Sequence, residues 1–151
     1  MDVVSTGEIF RTLASERGVS LERFGDIAEG DETIDRELDD RVVKMAEGGK
    51  IMEGRLTGHL LSESDKDAFK VWIHADQDIR VKRITEREGE PLSEVGEKVE
   101  KRERSERKRY MEYYDIDLAD RSIYDIIIDS GENSPEEVVE AIMEGLKDEL
   151  D

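Results

Sequence analysis

The sequence contains no cysteine. Disulfides, thiolate zinc sites and cysteine nucleophiles are thereby excluded. Histidine is almost as scarce. His59 and His74 are the only two, too few and too scattered to suggest a metal cluster, so no metal ligands are expected. Aromatic residues make up 5% of the chain and hydrophobic residues 36%, which allows a core, but a lean one. No apolar run approaches the ~20 residues of a membrane-spanning helix. The N-terminus lacks a signal-peptide pattern. A cytoplasmic, monomeric, single-domain protein with no membrane partner is the default expectation.

What is abundant is charge. Asp and Glu number 41 against 23 Lys and Arg, a formal net charge of -18. Acidic chains with few aromatics can be disordered. Here the acids are interleaved with basic and apolar residues at helical spacing, which favours a folded domain with an acidic surface. Such a surface keeps a protein hydrated where salt screens charge strongly, and so points to a salt-loving host. The same sign argues against nonspecific nucleic-acid binding, which depends on neutralising phosphates.

Hydrophobic periodicity and turn residues divide the chain. Residues 2–5 read as the end of a strand. Thr6 opens a helix with Ile9, Phe10, Leu13 and Ala14 on one face, ended by Gly18. Ser20 caps a second helix to about residue 29, and residues 33–47 form a third. Lys50–Glu53 is a strand, followed by Gly54 and Arg55. Residues 68–74 are a strand and 76–88 a helix closed by Gly89 and Pro91. A long charged helix runs from Leu92 to about Tyr113, with Gly96 weakening its start. Residues 124–129 form a buried strand. Ser134-Pro135-Glu136-Glu137 carries an N-cap, a proline at N1 and a capping-box glutamate, so a last helix follows to about Lys147. Strands alternating with helices point to an α/β parallel sheet.

The arginines carry the chemistry. Arg11, Arg55, Arg83, Arg87, Arg102 and Arg109 sit beside turns or on one helix. The planar guanidinium fork suits phosphate, and convergent arginines in so acidic a chain would form a local positive pocket. Any one of them alone reads as readily as a solvated partner of a nearby glutamate. Arg11 and Arg55 stand out, because both follow strands, and ligands of parallel sheets sit at the carboxyl ends of strands. Arg102, Glu106 and Arg109 lie one turn apart on one helical face, as do Arg83 and Arg87.

The order of these segments resembles a known family. S-T-G-E-I-F-R at residues 5–11 resembles the start of the monophosphate-binding segment of nucleoside monophosphate kinases. E-G-R at 53–55 matches the D/E-G-R element of cytidylate kinases. Residues 80–89 resemble the arginine-bearing helix before the lid. Residues 102–130 resemble the archaeal-type cytidylate kinase signature, R-E-x-S-E-x-x-R-Y-x-x-Y-Y followed by I-D and Y-D. The resemblance runs from about residue 3 to residue 147. It implies a P-loop NTPase-like parallel sheet with flanking helices, monophosphate-binding helices at 7–49 and a lid region at 90–120. It also implies transfer of a phosphoryl group from ATP, with Mg²⁺, to CMP or dCMP. By the same resemblance Arg11 and Arg55 hold the acceptor phosphate, lined by Thr6 and Gly7. Arg102, Glu106 and Arg109 contact the nucleotide, and Arg83 and Arg87 embrace the transferring group.

Other residues are expected to be structural. Trp72 and Met45, Met52, Met111 and Met143 read as packing. Tyr110, Tyr113 and Tyr114 read as anchors of the lid-side helix. Asp35, Asp39 and Asp40 read as a solvated face. Two departures from the family pattern are visible: Asp115 stands where Y-Y-G-I-D often has glycine, and residues 131–133 lack an Arg-Trp pair.

No G-x-x-x-x-G-K-[ST] motif, whose backbone and lysine cradle donor phosphates, occurs in the sequence. Relative to the family, Met1 falls where the second strand begins. The chain is therefore expected to lack the first strand and P-loop, through a misassigned start, gene decay or true loss. That loss would leave apolar edges on the neighbouring strands, and these residues alone are expected not to phosphorylate CMP. The alternative function is a catalytically inactive nucleotide-binding remnant. An RNA-binding module on the Arg102–Arg109 helix is opposed by the overall charge and by the lack of stacking aromatics in the basic run.

Overall fold

The computed structural model describes all 151 residues. They form two compact units, residues 1–68 with 102–120, and residues 69–101 with 121–151. Four strands and seven helices alternate along the chain.

In the first unit, β1 (Asp2–Ser5) pairs in parallel with β2 (Lys50–Glu53), Asp2 opposite Lys50 and Ser5 opposite Glu53. The crossover contains α1 (Thr6–Glu16), α2 (Leu21–Gly30) and α3 (Glu32–Met45). Each begins at a side chain that accepts a backbone N–H: Ser5, Ser20 and Asp31. Their apolar stripes meet in a cluster of Ala14, Phe24, Ala28 and Ile34, flanked by Phe10, Leu13, Val19 and Ile27. A short helix, α4 (Thr57–Ser62), follows β2. The sequence pattern did not reveal it, since six residues are too few to show a 3.6-residue period. Leu56, Tyr110 and Ile116 form a second cluster with Leu60, Tyr114 and Leu118.

In the second unit, β3 (Val71–His74) pairs in parallel with β4 (Ile126–Asp129). α5 (Gln77–Glu88) ends at Gly89 in the left-handed conformation. α7 (Pro135–Leu150) starts with the full reciprocal capping box of Ser134 and Glu137. Val81, Val95 and Val99 pack together with Ile84. Helix α6 (Leu92–Tyr114) contributes residues 92–101 to this unit and 102–114 to the first.

The α/β alternation and the parallel pairing are as expected. The single sheet is not: the strands form two separate pairs, β1–β2 and β3–β4. Each strand is four residues long and makes its ladder on one side only. Apolar side chains remain exposed in both pairs, Val3 and Ile51 in one and Ile73 and Ile127 in the other. The methionines also differ from expectation. Met45, Met111 and Met143 are exposed, because they fall on the outward faces of α3, α6 and α7. Trp72 is half-buried, in ring contact with Tyr124 and under the Arg121 guanidinium, and its indole N–H is buried without a hydrogen-bond partner.

Two backbone positions generate predictions. A Cβ at Gly54 would lie 2.5 Å from the hydroxyls of both Thr6 and Thr57 and 2.9 Å from Thr6 Cβ. Gly54→Ala must displace backbone or both threonines, and a loss of about 1–3 kcal/mol is expected in urea unfolding; an unchanged midpoint would contradict the crowding. Asp115, where the family often carries glycine, has φ 55° just beyond α6. Its N–H donates to Met111 O, and Ile116 N–H reaches Tyr110 O. Aspartate tolerates the left-handed region at some cost, so Asp115→Gly is expected to raise stability by up to about 1 kcal/mol, read in the same assay.

Candidate active site

The carboxyl ends of β1 and β2 lie side by side in the first unit. Ser5 Oγ donates to Glu53 Oε2 at 2.5 Å, and the Thr6 and Thr57 hydroxyls stand 3.4 Å apart across Gly54. Chain direction therefore delivers Thr6, Gly7 and Arg55 to one end of one strand pair. Gly7 lies in the first turn of α1, and Arg11 one turn later is exposed, its guanidinium 4.0 Å from where a Cβ on Gly7 would stand.

Helix α6 brings the second set. Glu106 is buried, and each of its carboxylate oxygens is engaged. Arg55 Nη1 donates to Oε2 at 2.7 Å, and Arg102 Nε donates to Oε1 at 3.1 Å. Both arginine side chains remain about two-fifths exposed, at 40% and 38%. Two guanidinium groups thus share one buried carboxylate and keep further N–H donors and a net positive charge. Arg102 and Glu106 share a helical face, and the structure brings Arg55, from the other expected set, to the same carboxylate.

Arg109 has a different setting. It is 4% exposed, with Nε donating to Asp35 Oδ2 at 2.6 Å and Nη1 to Ser105 Oγ at 2.6 Å. Its guanidinium also lies against the Phe10 and Tyr110 rings. Arg109 is thus an internal ion-pair partner rather than an open cation. Burial opposes its charge, but Asp35, Tyr110 and Glu106 outweigh this and hold its pKa above the ordinary value.

Asp35 and Asp39 were expected on a solvated face; the structure buries both, at 2% and 4% exposed, and leaves only Asp40 outside. The acidic run conceals the α3 stripe Ile34, Asp35, Leu38, Asp39 and Val42, in which carboxylates occupy core positions because partners await them on α6. Burial raises the Asp35 pKa, with Arg109 opposing. Tyr114 Oη donates to Asp39 Oδ2 at 2.7 Å. Burial pushes Asp39 up to about 7; the Tyr114 hydrogen bond opposes the rise and the Asp35 charge adds to it. Tyr113 Oη donates to the carbonyls of Ala28 and Glu29, at 2.7 and 2.8 Å. Tyr113 and Tyr114, with Tyr110 in the cluster of Leu56 and Ile116, anchor α6. The signal for the buried acids was available: Asp35 and Asp39 are four apart, in step with Leu38 and Val42.

Arg83 and Arg87 belong to the second unit, on α5. Arg83 donates to Ser130 through two nitrogens, Nη1 to Oγ at 3.1 Å and Nη2 to the carbonyl at 2.7 Å. Arg87 is exposed and pairs with Glu88. No group of three or more His, Asp or Glu is placed to hold a metal ion. No helix is long and apolar enough to cross a membrane.

A polar strand-end cluster on a parallel strand pair is the arrangement of an α/β protein, and comparison with known proteins narrows the class. The cytidylate kinase-like family model matches residues 1–132. A cytidylate kinase of Archaeoglobus fulgidus is 40% identical over 149 residues, spanning 97% of this chain and 81% of that protein. One from Pyrococcus horikoshii is 43% identical over 149 residues, 98% of this chain and 76% of its own length. One from Halorubrum lacusprofundi is 40% identical over 145 residues, 95% and 74% respectively. The chain belongs to the cytidylate kinase-like family.

The Asp39 setting predicts a pH dependence. Its folded pKa, about 7, lies above the ordinary value of 3.8. Between these values the folded state binds more protons than the unfolded state, so this contribution to stability falls as pH rises from about 4 to 7 and is level above. Asp39→Asn keeps an acceptor for Tyr114 and removes the titration. Its stability relative to the parent is expected to improve by up to ~3 kcal/mol between pH 4.5 and pH 8. Urea unfolding at the two pH values checks this; an equal difference at both would contradict it.

Proposed function

We propose that these residues form the acceptor side of a cytidylate kinase, which transfers the γ-phosphoryl group of ATP to CMP or dCMP. The observation that carries the reading is the Arg55–Glu106–Arg102 cluster at the carboxyl end of the β1–β2 pair. Its relatives bearing the name cytidylate kinase support it. Thr6 and Gly7 line the acceptor site, and Arg11 and Arg55 hold the acceptor phosphate. Arg102 and Glu106 contact the nucleotide, and Arg109 contributes from its buried position. Arg83 and Arg87 neutralise the transferring group.

In the reaction an oxygen of the CMP phosphate attacks the γ-phosphorus of ATP. That P–O bond forms as the bond to the β,γ-bridging oxygen breaks, giving CDP and ADP. Mg²⁺ enters as part of the MgATP substrate. The chain's own groups supply in-line positioning and fixed positive charge rather than covalent chemistry. Guanidinium forks suit this work because they stay charged and bind phosphate oxygens in pairs.

Steady-state assays with MgATP and CMP, dCMP, UMP or AMP test the reading, with calorimetric CMP binding measured alongside. CMP and dCMP are expected to be the preferred acceptors. Arg55→Ala is expected to weaken CMP binding by about 10- to 100-fold, the loss of one charge-assisted contact. Preference for another acceptor, or unchanged CMP binding in Arg55→Ala, would contradict the proposal.

A further inference from the structure

Asp35 is the most deeply buried charged side chain, at 2% exposed, and no acceptor-contacting role falls to it. Its partner is Arg109, 74 residues away and itself nearly buried. The pair ties the first turn of α3 to α6. Further links hold α6 to α3 and α2: Tyr114 Oη to Asp39, Arg36 Nη2 to Tyr113 O at 2.9 Å, and Tyr113 Oη to the carbonyls ending α2. Arg109 is one turn from Glu106, whose carboxylate holds Arg55 and Arg102. Displacing Arg109 would therefore disturb the α6 face that presents the whole cluster.

The contacts around Arg109 divide its donors. Nε is taken by Asp35 and Nη1 by Ser105, and the Phe10 and Tyr110 rings bound the guanidinium. With Nε and Nη1 so engaged, Nη2 is the edge left for the guanidinium to offer to a ligand. Asp35 fixes which edge that is, because a guanidinium anchored through Nε cannot rotate about its Cδ–Nε bond without breaking the contact.

We infer that Asp35 is a positioning residue for acceptor binding, acting through Arg109 to aim Nη2 and to hold the Arg102–Glu106 face of α6 against Arg55. The inference rests on the reading of the site as a CMP site. It adds a residue that touches no substrate and assigns it a share of acceptor affinity.

A double-mutant cycle tests it, with calorimetric CMP binding as the readout and thermal unfolding recorded for every protein. Asp35→Asn keeps the shape and an acceptor oxygen but removes the charge that anchors the guanidinium. CMP affinity is expected to fall at least about tenfold, as for a misplaced binding group. In an Arg109→Lys background the same change should have little further effect on affinity, because the group it aims is gone. Asp35→Glu, which restores the charge, is expected to recover part of the loss. Should Asp35→Asn fail to fold, Asp35→Glu and Arg109→Lys still form the comparison, each expected to weaken CMP binding. Undiminished CMP affinity in a folded Asp35→Asn protein would overturn the inference. So would equal losses in the parent and Arg109→Lys backgrounds, which would assign Asp35 to general stability. Failure of the unsubstituted protein to bind CMP would instead overturn the reading of the site on which the inference rests.

Discussion

The Arg109–Asp35 ion pair is the constraint around which the first unit is arranged. A charge this deep pays heavily in lost hydration, and attraction across 2.6 Å recovers that cost only if the remaining donors and acceptors are also met. They largely are: Ser105 takes one nitrogen, and two aromatic rings take the faces. Deleting either partner would strand the other, which typically costs about 3–5 kcal/mol. The pair consequently forces a specific registration of α3 on α6, which interchangeable apolar side chains would not impose.

From that registration follows the geometry of the strand-end cluster. α6 carries Arg102, Glu106, Arg109 and Tyr113 along one face. The lower part of the face is fixed by α2 and α3, and the upper part faces Arg55. Gly54 lets β2 come close enough to Thr6 and Thr57 for Arg55 to leave the strand where the helix can meet it. Local backbone permissiveness and a buried charge pair thus converge on the same few ångströms.

Much of this was legible in the residues. Caps at Ser20 and Ser134, the stop at Gly89 and the D/E-G-R turn placed most elements within about three residues. The Arg102–Glu106 face was readable because helical spacing alone makes these side chains neighbours. What one dimension hid was pairing across long separations. Asp35 and Asp39 look solvated in an acidic chain until Arg109 and Tyr114, some 74 and 75 residues on, are seen to meet them. The burial of Arg109 was hidden for the same reason. The separation of the strands into two pairs was equally hidden, since periodicity identifies a strand but not its neighbour. Asp115 was marked by its departure from glycine, and its left-handed backbone gives that departure a physical meaning.

The shared Glu106 carboxylate has a kinetic consequence. On the proposed reading of the site, Arg55 and Arg102 already have a counterion before any nucleotide arrives, so an incoming phosphate competes with a resident one rather than filling a bare positive hole. The same carboxylate is waiting when product leaves. An arrangement of this kind limits ground-state tightness and favours exchange, so the pocket is suited to repeated traffic rather than to storage of its ligand.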